Sequence, residues 1–198
     1  MTTDPTTVRI LDVDEQETAI ETLTLAFAGD PYIRWSQPNP GEYTAWFPEF
    51  VRLYAGTAFD HGTAFGIGDC AAGALWLPPA IEVDEEALVE FFYETVPESK
   101  LTEAWPAYGR LQEATPEAPH WHLPFVGVDP AHQGRGYGST LLAHVCEKCD
   151  EAGQTASLES GNPRNLSLYL RHGFELVDAI QIGEMPPLFP MVRNPATD

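Results

Sequence analysis

The run Phe125-Val126-Gly127-Val128-Asp129-Pro130-Ala131-His132-Gln133-Gly134-Arg135-Gly136-Tyr137-Gly138-Ser139 joins an apolar strand to a helix through three alternate glycines. Such a junction suits an anion. Glycine has no Cβ and tolerates positive φ, so its backbone can approach a ligand closely, and the N–H groups that open the following helix have no intrahelical acceptors. Pyrophosphate oxygens are natural partners for those donors. The positive end of the helix dipole adds to the attraction, and Arg135 can add a full charge.

Spacing decides which phosphate ligand is meant. A P-loop needs G-x-x-x-x-G-K-[ST], and no lysine follows any glycine of this run. The dinucleotide fingerprint G-x-G-x-x-G puts Ser139 or Leu141 where its third glycine belongs, although Glu159 lies about twenty residues on, as that fingerprint expects. The dinucleotide reading, and with it an oxidoreductase, is weakened and stays open. The spacing Gln133-x-x-Gly136-x-Gly138, directly after Val126-x-Val128-x-Pro130, resembles the acetyl-CoA pyrophosphate loop of the GNAT N-acetyltransferases. The likeness continues through His120-Trp121-His122-Leu123, Leu158-Glu159-Ser160, Asn162-Pro163-Arg164-Asn165 and Tyr169-Leu170-Arg171-His172-Gly173-Phe174, in the family's order. The C-terminal half is particularly similar to the puromycin N-acetyltransferase branch.

That resemblance implies a single α/β domain over residues 1–198 with a mixed sheet of six or seven strands. Two parallel central strands would part to admit the pantetheine arm of acetyl-CoA. It implies that Gln133, Gly134, Arg135, Gly136, Tyr137, Gly138 and Ser139 hold the pyrophosphate, and that Phe125, Val126 and Val128 lie along the cofactor, with the Val126 N–H donating to the oxyanion. Asn165 matches a position that reaches the CoA arm, and alternatively bonds its own helix end. Tyr169 matches the family tyrosine, and a phenol with an ordinary pKa of about 10 can protonate a thiolate of about 8–9. For the base three side chains compete. Glu159 closes an apolar strand where such clefts open, whereas His120 and His122 alternate onto one strand face and titrate near neutral pH. Acceptor selection falls to the first helix–loop–helix, where Asp30 could hold a cation and Tyr32 and Trp35 a ring or stem. A CoA-binding module without turnover is the alternative to an enzyme transferring acetyl to a primary amine by direct attack.

Composition sets the bounds. The 198 residues suffice for one domain burying roughly 70% of its unfolded surface. With 43% hydrophobic and 11% aromatic residues the chain is globular, and no stretch approaches a membrane span. The polar start Met1-Thr2-Thr3-Asp4-Pro5 lacks a signal peptide's basic and apolar regions, and three cysteines argue against a disulfide framework, so a cytoplasmic monomer or homodimer is expected. Cys146-x-x-Cys149 has no second pair and reads as two helix-packing thiols, with no metal. Thirty Asp and Glu against ten Lys and Arg give a net charge of −20, which disfavours nucleic acid or an anionic membrane as partner. Such a surface suits a halophilic source, where concentrated salt screens the repulsion.

The elements that must position these groups follow from periodicity. A first strand is expected over 7–13, a helix from 14 with Ile20, Leu23 and Phe27 on one face, and a second helix over 43–59. A hairpin should span 63–68 and 71–77, and two or three acidic helices 84–112, broken near Pro97 and Pro106. The cofactor strand, helix 136–151, strand 155–160, helix 164–172 and strands 174–182 and 188–193 complete the expectation.

Overall fold

Short apolar runs punctuated by glycine and proline build one sheet, and longer amphipathic runs cover its two faces. The computed structural model describes residues 6–79, 81 and 83–196. Its strands are β1 (Val8–Ile10), β2 (Ala64–Ile67), β3 (Ala72–Leu77), β4 (Trp121–Val128), β5 (Ala156–Ser160), β6 (Glu175–Leu176) and β7 (Phe189–Arg193). They lie in the order β1-β2-β3-β4-β5-β7-β6. Every pairing is antiparallel except that of β4 with β5 at the centre. The mixed, seven-stranded sheet is the one expected.

The helices are α1 (Gln16–Phe27), α2 (Pro31–Ser36), α3 (Pro40–Ala55), α4 (Thr57–Asp60), α5 (Glu85–Thr95), α6 (Glu98–Ala114), α7 (Tyr137–Ala152) and α8 (Leu166–Arg171). On one face of the sheet Leu11, Ile20, Leu23, Phe47, Val51 and Phe125 form a core with α1 and α3. On the other, Trp76, Leu123, Leu141, Leu142, Val145 and Leu158 pack under α7 with Tyr169 and Phe174. Full burial of each such side chain contributes about 1.5–3 kcal/mol, so the two clusters clamp the sheet from both sides. No helix among the described residues is long and apolar enough to cross a membrane.

Four expected elements differ. The first strand is only three residues, because Asp12 and Glu15 form a capping box that turns the chain into a 3-10 turn at Val13. The helix expected over 43–59 starts at Pro40, capped by Asn39, and is preceded by α2, which Asp30 caps by accepting from the Tyr32 and Ile33 N–H groups. The break expected at Pro106 is absent: α6 runs through it, held by the buried Leu101 and Ala107. The strand expected over 174–182 shrinks to β6. After it, pairing continues through the Val177 N–H to the Pro190 carbonyl and an isolated bridge of Ile180 with Leu188, and α6 fixes what lies beside them, since Arg110 pairs with Asp178 and the Glu103 carboxylate accepts from the Glu184 and Met185 N–H groups.

Candidate active site

The parallel pair at the sheet's centre is short. β4 and β5 are registered only from Trp121 opposite Ala156 to Leu123 opposite Leu158. The next residue is Pro124, which has no N–H to give to a ladder. Opposite β3, Leu75 pairs with Phe125 and Leu77 with His122, so β4 carries one extra residue between them, a bulge. Upstream of it the Trp121 N–H points to β5, donating to Thr155 at 2.9 Å, whereas downstream the Asp129 N–H points to β3, donating to Ala71 at 3.0 Å. Alternation along the strand then directs the Gly127 and Phe125 N–H groups to β3 and those of Val126 and Val128 into the space β5 has left. A gap opens there, lined by Phe27, Leu123, Pro124, Val126, Leu158, Glu159, Ser160, Asn165 and Tyr169, with Asp30 and Gly161 at its edge.

Beyond Val128 the chain enters the glycine loop. Gly134 and Gly136 have φ of 78° and 84°, and a Cβ on either would meet no atom within 4 Å, so the surface they leave is open. Gly136 is the N-cap of the sixteen-residue α7, and no side chain caps it. The N–H groups that begin α7 are thus left for a ligand, which fits the pyrophosphate of acetyl-CoA. Gln133 bridges the loop by donating Nε2–H to the Val128 carbonyl at 3.3 Å, and Arg135 is exposed. The Tyr137 ring is buried in the core under α7, so it has only main chain to offer a phosphate, and Ser139 Oγ lies 2.7 Å from His172 Nε2.

Glu159 and Tyr169 approach the gap from opposite faces of the sheet. Ser157 and Glu159 point to the α3 face, while Leu158 packs with Tyr169 beneath α7. Tyr169 is 6% exposed and lines the gap, and burial pushes its phenol well up, so it stays protonated at neutral pH. On the other side His122 stands 3.4 Å from Glu159 Oε2 through Nε2, which is also 2.8 Å from Tyr54 Oη, while Nδ1 is 2.9 Å from Ser157 Oγ. Burial lowers the His122 pKa and outweighs the opposing effect of the Glu159 charge, so the ring is neutral. Asn165 opens α8 without bonding its backbone, leaving its amide at the gap.

Asp30 is 8% exposed, and burial raises its pKa although two N–H groups hold its Oδ1. Gly161 lies against it, where a Cβ would come within 2.7 Å of Oδ1. Tyr32 and Trp35 stack at 5.8 Å, with Tyr32 against Gly161, and Lys100 Nζ sits 4.5 Å over the Trp35 ring. His120 precedes β4, with Nδ1 against the Ala118 carbonyl, so it does not share a strand face with His122. Cys146 and Cys149 are buried, and burial pushes their thiols up to about 11 and about 12, as expected of packing thiols. The group that sequence reasoning missed is Tyr54. Its place in a helix among Trp46, Phe47 and Phe50 reads as core, and nothing local marks a hydroxyl that meets a histidine 68 residues away.

Comparisons with known proteins agree with this geometry. The model of the acetyltransferase (GNAT) family matches residues 20–174. An uncharacterized N-acetyltransferase of Schizosaccharomyces pombe is 25% identical over 95% of this chain and 83% of its own length. A Corynebacterium glutamicum crystal structure, described as a histone acetyltransferase HPA2 and related acetyltransferase, superposes with a TM-score of 0.66 at 24% identity, covering 97% of both chains. A Drosophila melanogaster polyamine N-acetyltransferase, described as forming N-acetylagmatine, superposes with a TM-score of 0.64 at 16% identity, covering 95% of this chain and 99% of the other.

Proposed function

The chain belongs to the acetyltransferase (GNAT) family and is an acyltransferase, and on that premise we propose that it transfers acetyl from acetyl-CoA to a primary amine by direct attack. The observation that carries this is the gap between β4 and β5, which has the uncapped glycine loop at one end and a carboxylate and a phenol on its two faces. The backbone from Gln133 to Ser139 holds the pyrophosphate. Val126, Val128 and Phe125 lie along the pantetheine arm, and Asn165 reaches it from α8. When bound, acetyl-CoA supplies an activated acyl thioester.

The chain's own groups do the rest. Glu159 takes the proton that makes the acceptor ammonium a nucleophilic amine. The Val126 N–H faces the negative charge that develops on the thioester oxygen. Tyr169 gives its proton to the departing sulfur. No reactive cysteine serves a covalent route, since the burial-raised Cys146 and Cys149 are thiols in the core.

The acceptor is a cation in solution. Among the described residues Asp30 and Glu159 are the acidic side chains that line the gap, and no lysine or arginine lines it. With the net charge of −20 this draws amines in and rejects acids. The acetylation of polyamine and agmatine by structural neighbours supports the same class. The test is release of CoA thiol from acetyl-CoA with agmatine, spermidine, tryptamine and puromycin. Turnover with at least one is expected. CoA binding without turnover of any of them would leave a CoA-binding module instead.

A further inference from the structure

Tyr54 has no part in the transfer as set out above, yet its hydroxyl is placed by packing. Its ring stacks on Phe50 at 5.7 Å and meets the edge of Phe125 at 5.9 Å, and the hydroxyl is delivered 2.8 Å from His122 Nε2. Ser157, two residues before Glu159 on the same strand face, stands at the imidazole's other nitrogen at 2.9 Å. Glu159 Oε2 is 3.4 Å from the nitrogen that Tyr54 contacts. Four side chains from α3, β4 and β5 thus converge at one lip of the gap.

Their protonation states follow from their partners. The His122 pKa is lowered by burial, with Glu159 opposing and His120 adding to the lowering, so the ring carries a single N–H. A lone pair on Nε2 would face the Glu159 carboxylate, so the proton belongs on Nε2, and Nδ1 accepts from the Ser157 hydroxyl. Burial, then the charge of Glu159, with Tyr108 and Glu85 adding less, pushes the Tyr54 phenol well up, so it is a hydroxyl, and the single Nε2–H of His122 is shared between its oxygen at 2.8 Å and Glu159 Oε2 at 3.4 Å. In this arrangement His122 cannot take the acceptor's proton. Its cleft-side nitrogen is already protonated, and its free lone pair is spent on Ser157.

We propose that Tyr54 and His122 are positioning residues for acetyl transfer: His122, oriented by Ser157 and Tyr54, holds the Glu159 carboxylate towards the gap, and Glu159 alone receives the amine's proton. This rests on the acetyl transfer set out above. In that transfer the acceptor ammonium gives one proton to Glu159, which passes it to solvent, and as the N–C bond to the acetyl group forms the amine's second proton goes to the freed Glu159 carboxylate. The C–S bond breaks, its electron pair stays on sulfur, and the Tyr169 proton joins it. Glu159 then returns its proton to solvent and Tyr169 regains one.

The experiment measures steady-state kinetics with whichever of the four amines the wild-type protein turns over. Tyr54→Phe should keep its melting temperature and its KM for acetyl-CoA, and lose about tenfold in kcat. His122→Gln, whose amide can still donate to Glu159, should stay within about tenfold of wild type, whereas His122→Ala should lose about a hundredfold. Adding Tyr54→Phe to His122→Ala should cost nothing more, because Tyr54 acts through the imidazole. Full kcat in Tyr54→Phe would overturn the proposal, as would multiplicative losses in the double variant. Equal inactivity of His122→Gln and Glu159→Gln would do the same, by making His122 the base. Should His122→Ala fail to fold, the isosteric Tyr54→Phe and His122→Gln decide alone. Failure of the acetyl transfer itself is seen separately, as no turnover by wild type.

Discussion

Gly136 and Gly153 bound the same helix, and the pair separates the cost of a backbone conformation from the cost of a lost ligand contact. Both are left-handed, with φ of 84° and 64°, and a Cβ on either would find open space. Alanine at each therefore costs chiefly the left-handed backbone, about 1–2 kcal/mol. For a chain of this length that is a fall of roughly 2–8 °C in melting temperature. Only Gly136 adjoins the free N–H groups that open α7. A methyl there displaces the pyrophosphate, and loss of two charge-assisted hydrogen bonds at about 1.5–3 kcal/mol each weakens CoA by roughly 10²- to 10⁴-fold. Calorimetric titration with CoA, alongside a thermal melt, reads both quantities. Wild type and Gly153→Ala should bind alike in the micromolar range, and Gly136→Ala should show no measurable heat. Affinity in Gly136→Ala within about threefold of wild type, or an equal loss in Gly153→Ala, would refute the assignment of the loop as the pyrophosphate site.

Three further outcomes are expected. Tyr169→Phe should lower kcat by about 10² while CoA affinity is unchanged, and full activity would remove the phenol from the proton transfer. Melting temperature should rise steadily as KCl is raised towards about 2 M, because screening relieves a net charge of −20, and a flat or falling response would refute the halophilic reading. The hydrogen bonds from Arg9 hold the Glu15 carboxyl at about 2, below its unfolded value, so its contribution is whole above about pH 4.5 and is lost as pH falls towards 2. The acid-side fall in melting temperature should therefore be shallower in Arg9→Gln than in wild type, and identical slopes would show that this pair contributes nothing.

What is legible in the sequence is main-chain conformation. A glycine loop between a strand and a helix carries its own signature, because the conformation and the free donors both follow from local residue types. Val126 and Val128 were legible for a related reason, as strand residues counted back from that loop. Tyr54 was hidden because its hydroxyl gains meaning only when α3 crosses the end of β4. The stacking of Trp35 on Tyr32 and beneath Lys100 is likewise a tertiary arrangement that aromatic content cannot specify. The strand expected over 174–182 is shorter: after β6 its pairing continues through the Val177 N–H and an isolated bridge of Ile180 with Leu188, while the α6 side chains Arg110 and Glu103 hold Asp178 and the turn at 184–185.

By itself the sequence determined the glycine loop and the family. Residue order, glycine spacing and the apolar strand before the loop are local, and they specify an anion cradle and the family it serves. The tertiary structure alone decided which side chains stand on each face of the sheet at the gap. A one-residue bulge beside Pro124 reverses which N–H groups face the gap, and the crossing of α3 sets Tyr54 with His122 and Glu159 on one side, with Tyr169 on the other. That division depends on the parity of a strand and the crossing of a distant helix, and neither is a property of any short stretch of residues.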